Sequence, residues 1–336
     1  MKSGSNNCIV IPGLTRNLTN KFMIFLTRRW RIESAMIIIG VLAWSSCNNG
    51  GHQYSDTPTS GEIKIAVDES YSLLFDTEIY TFQSLYKYAK INASYEPETE
   101  AVKDLLNDSI RFAVISRELN EDEKKYFEGI KLTPRINKIA VDAVALIVNN
   151  NNQDTLLTLD QIKSLFSGKD TLWSQINSSS KNKPIRIVFD NSGSGNARFI
   201  KETILNNQSF PKNCFAVKSN PEVIEYVSNN PDAMGVIGVN WVSDKDDTLT
   251  ISFLKKVKVV AISKNKEEIF YKPYQAYMQT GNYPFCRSVY IVSREARAGL
   301  GTGFASFVAG DKGQRIILKS GLVPATAPVR IVEITN

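Results

Sequence analysis

Ala143 to Val148 read Ala-Val-Ala-Leu-Ile-Val, an apolar run with no polar interruption. A strand with one wet face alternates polar and apolar residues, so an unbroken run is what a strand covered on both faces requires. Such a strand belongs inside an α/β sheet with helices on either side. The flanking patterns agree. Ile63, Ile65 and Val67 alternate with Lys64 and Ala66 in a first strand that ends at Asp68-Glu69-Ser70-Tyr71. Val102, Leu105, Leu106 and Ile110 have helical spacing, and Arg111 to Ile115 read as a short strand closing at Ser116-Arg117. Leu159, Ile162, Leu165 and Phe166 mark a helix stopped by Ser167-Gly168, Val223, Ile224 and Val227 another, and Met234 to Val239 a tightly packed strand. Strand and helix alternate as β–α–β units build a parallel sheet.

A chain of 336 residues exceeds the usual single core, which predicts two packed lobes. The net charge of +6 first suggests a nucleic-acid or membrane partner. Residues 1–47 hold most of it: Lys2, Arg16, Lys21, Arg28, Arg29 and Arg31 stand against Glu33 alone. The remainder is close to neutral and has no basic stripe for a phosphate backbone, so no nucleic-acid partner is expected. His52 is the single histidine, which argues against histidine catalysis and histidine metal sites. Cys8, Cys47, Cys214 and Cys286 have no C-x-x-C or zinc spacing. Cys214 and Cys286 are either a disulfide or two buried free thiols.

Ala35 to Trp44 is apolar, too short to span a bilayer, preceded by arginines and followed by Ser45-Ser46-Cys47. This is a signal-peptide pattern whose end resembles the lipobox of bacterial lipoproteins, in which Cys47 is acylated and becomes the mature N-terminus. Trp44 departs from the usual aliphatic residue, which keeps ordinary signal cleavage or a buried N-terminal helix open. Met23 is the better start for such a leader. Residues 48–61, rich in Asn, Gly, Ser, Thr and Pro, read as a flexible tether.

Chemistry concentrates where the strand Ile185–Phe189 runs into Asp190-Asn191-Ser192-Gly193-Ser194-Gly195-Asn196, with a helix expected from Ala197 to Leu205. Glycines let a ligand approach the backbone, and the free N–H groups of a helix's first turn attract negative charge. Ser194 and Asn196 add side-chain donors. Ser70 stands at the start of the first helix, where its hydroxyl also faces an anion. No Gly-Lys-Ser/Thr follows the turn, which disfavours nucleotide hydrolysis. Gly299, Gly301 and Gly303 mimic a dinucleotide fingerprint but lack a preceding strand; they read as a loop before a helix starting at Phe304.

Across residues 62–334 these features together resemble the phosphate-binding proteins of bacterial ABC importers. The matching stretches are Leu159 to Phe166 with Ser167-Gly168 and Trp173, Asn230 to Val239, Tyr283-Pro284-Phe285 with Arg287 and Tyr290, and Gly313-Gln314 with Gly321 and Pro324. The resemblance implies the type II periplasmic-binding-protein fold, α/β in class, with two lobes and a ligand cleft between them. Lobe 1 combines 62–142 with 263–336, lobe 2 is 143–262, and crossovers lie near 141–146 and 256–263. It further implies an extracytoplasmic monomer without cofactor, metal or catalysis, anchored to the membrane by lipid and delivering inorganic phosphate to an importer's permease.

Carried over residue by residue, the anion site comprises Ser70, Tyr71, Thr99, Gly193, Ser194, Gly195 and Asn196. Two charged positions depart from the family's pattern. Asp190 stands where its arginine precedes the Gly-Ser turn, and Arg117 where its aspartate follows the strand. A swap keeps one cationic fork and one carboxylate acceptor, so Arg117 is expected to clamp the anion and Asp190 to accept its proton. The alternative is an ion pair between the two that touches no ligand. Three other readings stay open: another oxyanion or small acidic solute on the same fold, a secreted phosphate-handling enzyme, and a sensor ectodomain.

Overall fold

The computed structural model describes residues 56–180, 182–244, 247–265 and 268–326. The leader, Cys47 and the first part of the expected tether lie outside the described residues.

Two parallel trios of strands form the framework. In the first, β1 (Ser60–Asp68) pairs with both β2 (Tyr88–Glu96) and β3 (Phe112–Ile115), all parallel. The connecting helices are α1 (Ser72–Leu85) and α2 (Glu98–Leu106), and α3 (Glu121–Gly129) follows β3. The long strand β4 (Arg135–Asn149) then carries the chain out of this set. After β5 (Leu156–Thr158), α4 (Leu159–Phe166) and α5 (Trp173–Ile176), the second trio forms around β6 (Arg186–Phe189). β6 pairs in parallel with β7 (Cys214–Ala216) and β8 (Ala233–Gly238), and is linked to them by α6 (Gly195–Thr203) and α7 (Asn220–Asn229).

β4 joins the trios because its halves serve different ladders. Arg135 to Ala143 pair with β11 (Cys286–Ser293), and Val144 to Val148 pair antiparallel with β8. The sheet order is therefore β2-β1-β3-β11-β4-β8-β6-β7. The expected run Ala143–Val148 is buried at every position, as a strand covered on both faces must be. Aromatic side chains close the first lobe's core, with Phe82 edge-on to Phe304 at 5.2 Å between ring centroids.

After β8 come α8 (Asn240–Ser243), α9 (Thr248–Leu254), β9 (Val257–Val259) and β10 (Ala261–Ser263). β9 pairs with the second half of β4 and β10 with β5, so residues 257–263 stay with the second set of strands. After α10 (Gln275–Gln279), the return is made at Phe285, whose carbonyl accepts the Val144 N–H at 2.9 Å, and not near 256–263. α11 (Leu300–Ala309), α12 (Asp311–Lys319) and β12 (Val323–Pro324) complete the described fold.

Two further expectations change. Residues 56–61 are not slack: β1 begins at Ser60, Asp56 pairs with Arg297 at 3.3 Å, and the Pro58 carbonyl sits where a Cβ on Gly303 would go. The glycines at 301 and 303 lie inside a helix rather than a loop. Its first turn is capped by Glu295, which accepts N–H bonds from Gly301 at 3.0 Å and Thr302 at 2.6 Å. Of the two cysteine alternatives, the thiols of Cys214 and Cys286 are free, and burial pushes both up to about 12.

Candidate binding cleft

The parallel strands of both trios end on one cleft, the place where open α/β sheets present ligand sites. At the end of β1, Asp68 Oδ1 accepts the Ser70 N–H at 2.9 Å and folds Glu69–Tyr71 into a 3-10 turn that leads into α1. Ser70 is fully buried. Tyr71 points down into the core and donates its hydroxyl to Asp142 Oδ2 at 3.0 Å.

At the end of β6 the chain turns through Asp190–Ser194 into α6. Ser194 caps the helix: its Oγ accepts the Ala197 N–H at 3.1 Å and donates to Asp190 Oδ1 at 2.6 Å. Asp190 Oδ2 accepts from Asn196 Nδ2 at 2.8 Å and Asn220 Nδ2 at 3.2 Å. Both oxygens of Asp190 are thus used within the turn and the start of α7. Asn196 Nδ2 also reaches Ser70 Oγ at 3.1 Å, directly joining the two lobes' loops. Asn220 ties in β8 and the first loop: its Oδ1 accepts the Gly238 N–H at 3.0 Å, and its N–H groups bond Glu69 Oε2.

The backbone approaches closely at Gly193 and Gly195. The Gly193 carbonyl accepts the Thr99 N–H at 3.2 Å, and a Cβ there would collide with the Thr99 hydroxyl. A Cβ on Gly195 would meet Ser116 Oγ, Asp68 Oδ2 and Glu98 Oε2, so only glycine allows this contact.

Glu98 organises the other wall. Its Oε2 accepts from the Ser116 N–H at 2.8 Å and hydroxyl at 2.5 Å, and its Oε1 from Arg198 Nε at 2.5 Å. Burial alone would raise this carboxyl, but the charge and hydrogen bond of Arg198 hold it below the usual range. Asp68 and Glu69 lack such compensation. Burial, followed for Asp68 by the nearby Glu98 charge, pushes Asp68 up to about 7, and burial pushes Glu69 up to about 7 against its bonds to Asn220. Burial also raises Asp190.

The structure therefore brings together Ser70, Thr99, Asp190, Gly193, Ser194, Gly195 and Asn196. Tyr71 adjoins them from below. Arg117 is placed differently: its guanidinium forms two 2.7 Å bonds to Glu123, bonds the Glu118 carbonyl, and lies 3.4 Å from Glu98. Arg117 and Asp190 do not pair with each other; each has its own partners. The cation beneath the cleft is Arg287, which lies over the Tyr71 ring and keeps Nη1 buried without a protein partner. Asn196 Oδ1 is likewise buried and unpartnered. Sequence reasoning passed over Asp68, Glu69, Glu98, Asn220 and Arg287 as site residues, although the first three stand at strand ends and Arg287 lies in a quoted motif.

Among the described residues no group of three or more His, Cys, Asp or Glu side chains is arranged to hold a metal ion. A separate cavity of about 640 Å³, lined by Val242, Leu254, Val259, Pro273, Tyr274 and Leu318 among others, shares no lining residue with the cleft. No helix among the described residues is long and apolar enough to cross a membrane.

Two parallel α/β sets whose strand ends share one cleft define a two-lobed binding protein of the type II periplasmic-binding kind. The chain belongs to the PBP superfamily, whose domain it matches over residues 52–312. It is 24% identical over 292 residues to the phosphate-binding protein PstS of Staphylococcus epidermidis, covering 85% of this chain and 86% of that one. Identity to the PstS protein of Staphylococcus aureus is also 24%, over 293 residues. Among solved structures it resembles a substrate-binding protein from Clostridium perfringens with bound phosphate, at TM-score 0.68 and 21% identity, covering 79% of this chain and all of that one. An ABC-type phosphate transport receptor from Vibrio cholerae gives TM-score 0.60 at 19% identity, with the same coverage.

Proposed function

We propose that this protein captures inorganic phosphate between its lobes, outside the cytoplasmic membrane, and delivers it to the permease of an ABC importer. The observation that carries this reading is the joining of Ser70 in one lobe to Asn196 in the first turn of α6 in the other. Hydroxyl, amide and helix N-terminus there converge from both sides, as an oxyanion requires. Gly193, Ser194 and Gly195 supply the close backbone, and Thr99 fixes Gly193 across the cleft. Arg287 supplies buried positive charge, with its unpartnered Nη1 as the spare donor. Asp190 acts by holding Ser194, Asn196 and Asn220 in place, and Arg117 by bracing the wall around Glu98. Affinity then comes from arranged donors and lobe closure, without covalent chemistry. Cys47 carries the lipid that keeps the protein, as a monomer, at the membrane.

The buried carboxylates favour one second reading: a different oxyanion, or a small acidic solute, that brings its own protons. Thermal unfolding separates the two. A ligand that binds only the folded state stabilises by about 2.7 kcal/mol at a hundred times its Kd. Phosphate is expected to raise the Tm by several degrees where sulfate does not; a rise with another oxyanion and none with phosphate overturns the phosphate assignment.

A further inference from the structure

Asp68 is the last residue of β1 and has no solvent exposure. Its Oδ1 turns the chain back by accepting from Ser70 N–H, but its Oδ2 crosses to the other lobe and accepts the Gly195 N–H at 3.1 Å. Gly195 is the first residue of α6, so a carboxylate oxygen of the protein itself occupies the first-turn donor to which the proposed function assigns the anion. Two further polar groups at this place are buried and unpartnered: Asn196 Oδ1 on the same first turn, and Arg287 Nη1, whose charge acts on both Asp68 and Asp190.

Charged and titratable groups face Asp68 from every side. Glu69 and Tyr71 lie on its own loop, Glu98 at the start of α2, Asp190 in the turn before α6, and Arg287 on β11. Glu98 is matched by Arg198, and Asp190 by its hydrogen bonds to Ser194, Asn196 and Asn220. Arg287 is shared with Asp142, to which it gives Nε and Nη2. Asp68 thus has no cation of its own, sharing Arg287 with Asp142, and it is the carboxylate that holds the first-turn donor of α6.

We propose that Asp68 is a specificity-determining internal competitor: an oxyanion takes the Gly195 N–H only by displacing the Asp68 carboxylate, and Asp68 takes up a proton as it yields. This rests on the phosphate reading of the same cleft. It has a physical basis in the site's charge, since an anion placed beside ionised Asp68 would meet an unscreened like charge in a dry cleft. Asp68 is already held near neutrality with respect to protonation, which keeps the cost of that proton low near neutral pH.

Linkage of one proton makes affinity fall about tenfold per pH unit above the titration of Asp68. The experiment is isothermal titration of the full protein with inorganic phosphate from pH 6 to 8.5, each pH run in two buffers of different ionisation enthalpy. Asp68→Asn is measured alongside, and Asp68→Gly serves as the second variant, with thermal unfolding confirming that both fold. The variants report phosphate's own protonation, so the difference from wild type belongs to Asp68. The expected result is about one extra proton taken up by wild type at pH 8, and variant binding at least about tenfold tighter than wild type at pH 8.5. Phosphate binding with the same pH profile and proton count in all three proteins overturns the competitor role and leaves the phosphate reading standing. Absence of phosphate binding by all three at every pH overturns both.

Discussion

Arg287 gives Nε and Nη2 to a single oxygen of Asp142, Oδ2, at 2.9 and 2.8 Å, while both residues are buried. They are cross-strand partners in the β4–β11 ladder. Asp142 immediately precedes the residue at which β4 changes ladders, and Arg287 immediately follows the start of the returning strand. One ion pair therefore pins the crossover and sets a cation under the cleft.

This pairing separates two effects of changing Arg287. Arg287→Ala leaves Asp142 buried and unpaired, and is expected to cost about 3–5 kcal/mol in denaturant unfolding. Arg287→Lys keeps the charge without the planar fork. It is expected to fold and to bind phosphate at least about tenfold more weakly, since one ammonium cannot serve Asp142 and ligand together. Wild-type affinity in Arg287→Lys would assign the cationic role elsewhere.

Arg117 and Asp190 provide the contrasting case. With its guanidinium engaged by Glu123, Glu98 and the Glu118 carbonyl, Arg117→Ala is expected to leave phosphate affinity within about threefold, at a stability cost near that of a partly exposed ion pair, about 1 kcal/mol. Asp190→Ala strands donors on Ser194, Asn196 and Asn220, and is expected to cost about 1–3 kcal/mol and to weaken binding as well. Loss of phosphate binding in Arg117→Ala with folding intact would restore Arg117 as the clamp.

Glu78 on α1 offers a test of stability against pH. It is fully buried, neither oxygen has a hydrogen-bond partner, and burial pushes it up to about 9. Its folded-state pKa exceeds the unfolded one, so between the ordinary carboxylate range and about 9 the folded state holds the extra proton. Stability from this group therefore falls as pH rises through that window. Glu78→Leu is expected to raise the unfolding midpoint at pH 8 and to flatten its decline from pH 6 to 9. An unchanged slope would mean that Glu78 does not govern it.

The framework was legible because burial on two faces leaves a plain trace. Ala143–Val148 and Ile187–Phe189 ahead of Asp190 are apolar whatever their partners, and the Gly-Ser turn marks the start of α6. Pairing is not written in that trace. Residues 257–263 have the apolar content of a crossover, and only their hydrogen bonds to β4 and β5 assign them to the second set. Gly301 and Gly303 read as loop because the cap that starts their helix is the side chain of Glu295, at no helical spacing. The same limit governed the site. Ser70 and Gly193–Asn196 were found as polar or flexible residues at strand ends, and Thr99 through the family resemblance alone. Asp68, Glu69 and Glu98 carry no such mark, since Gly195, Asn220 and Arg198, which engage them, stand in the opposing lobe.

Gly303 tests one of the places where the expected tether proved to be part of the fold. A Cβ there would occupy the position of the Pro58 carbonyl. Gly303→Ala is expected to destabilise by about 1–3 kcal/mol through overpacking and to speed proteolytic cleavage between residues 56 and 60. Unchanged stability and cleavage would show that Pro58 does not bear on α11.

Phosphate capture is tested most simply by direct titration. Protein stripped of endogenous ligand by partial unfolding and refolding would be titrated calorimetrically with phosphate at pH 7, with sulfate and molybdate as comparators. Saturable binding of one phosphate per chain and no measurable heat from sulfate are expected. Saturable binding of a comparator with none of phosphate would contradict phosphate capture.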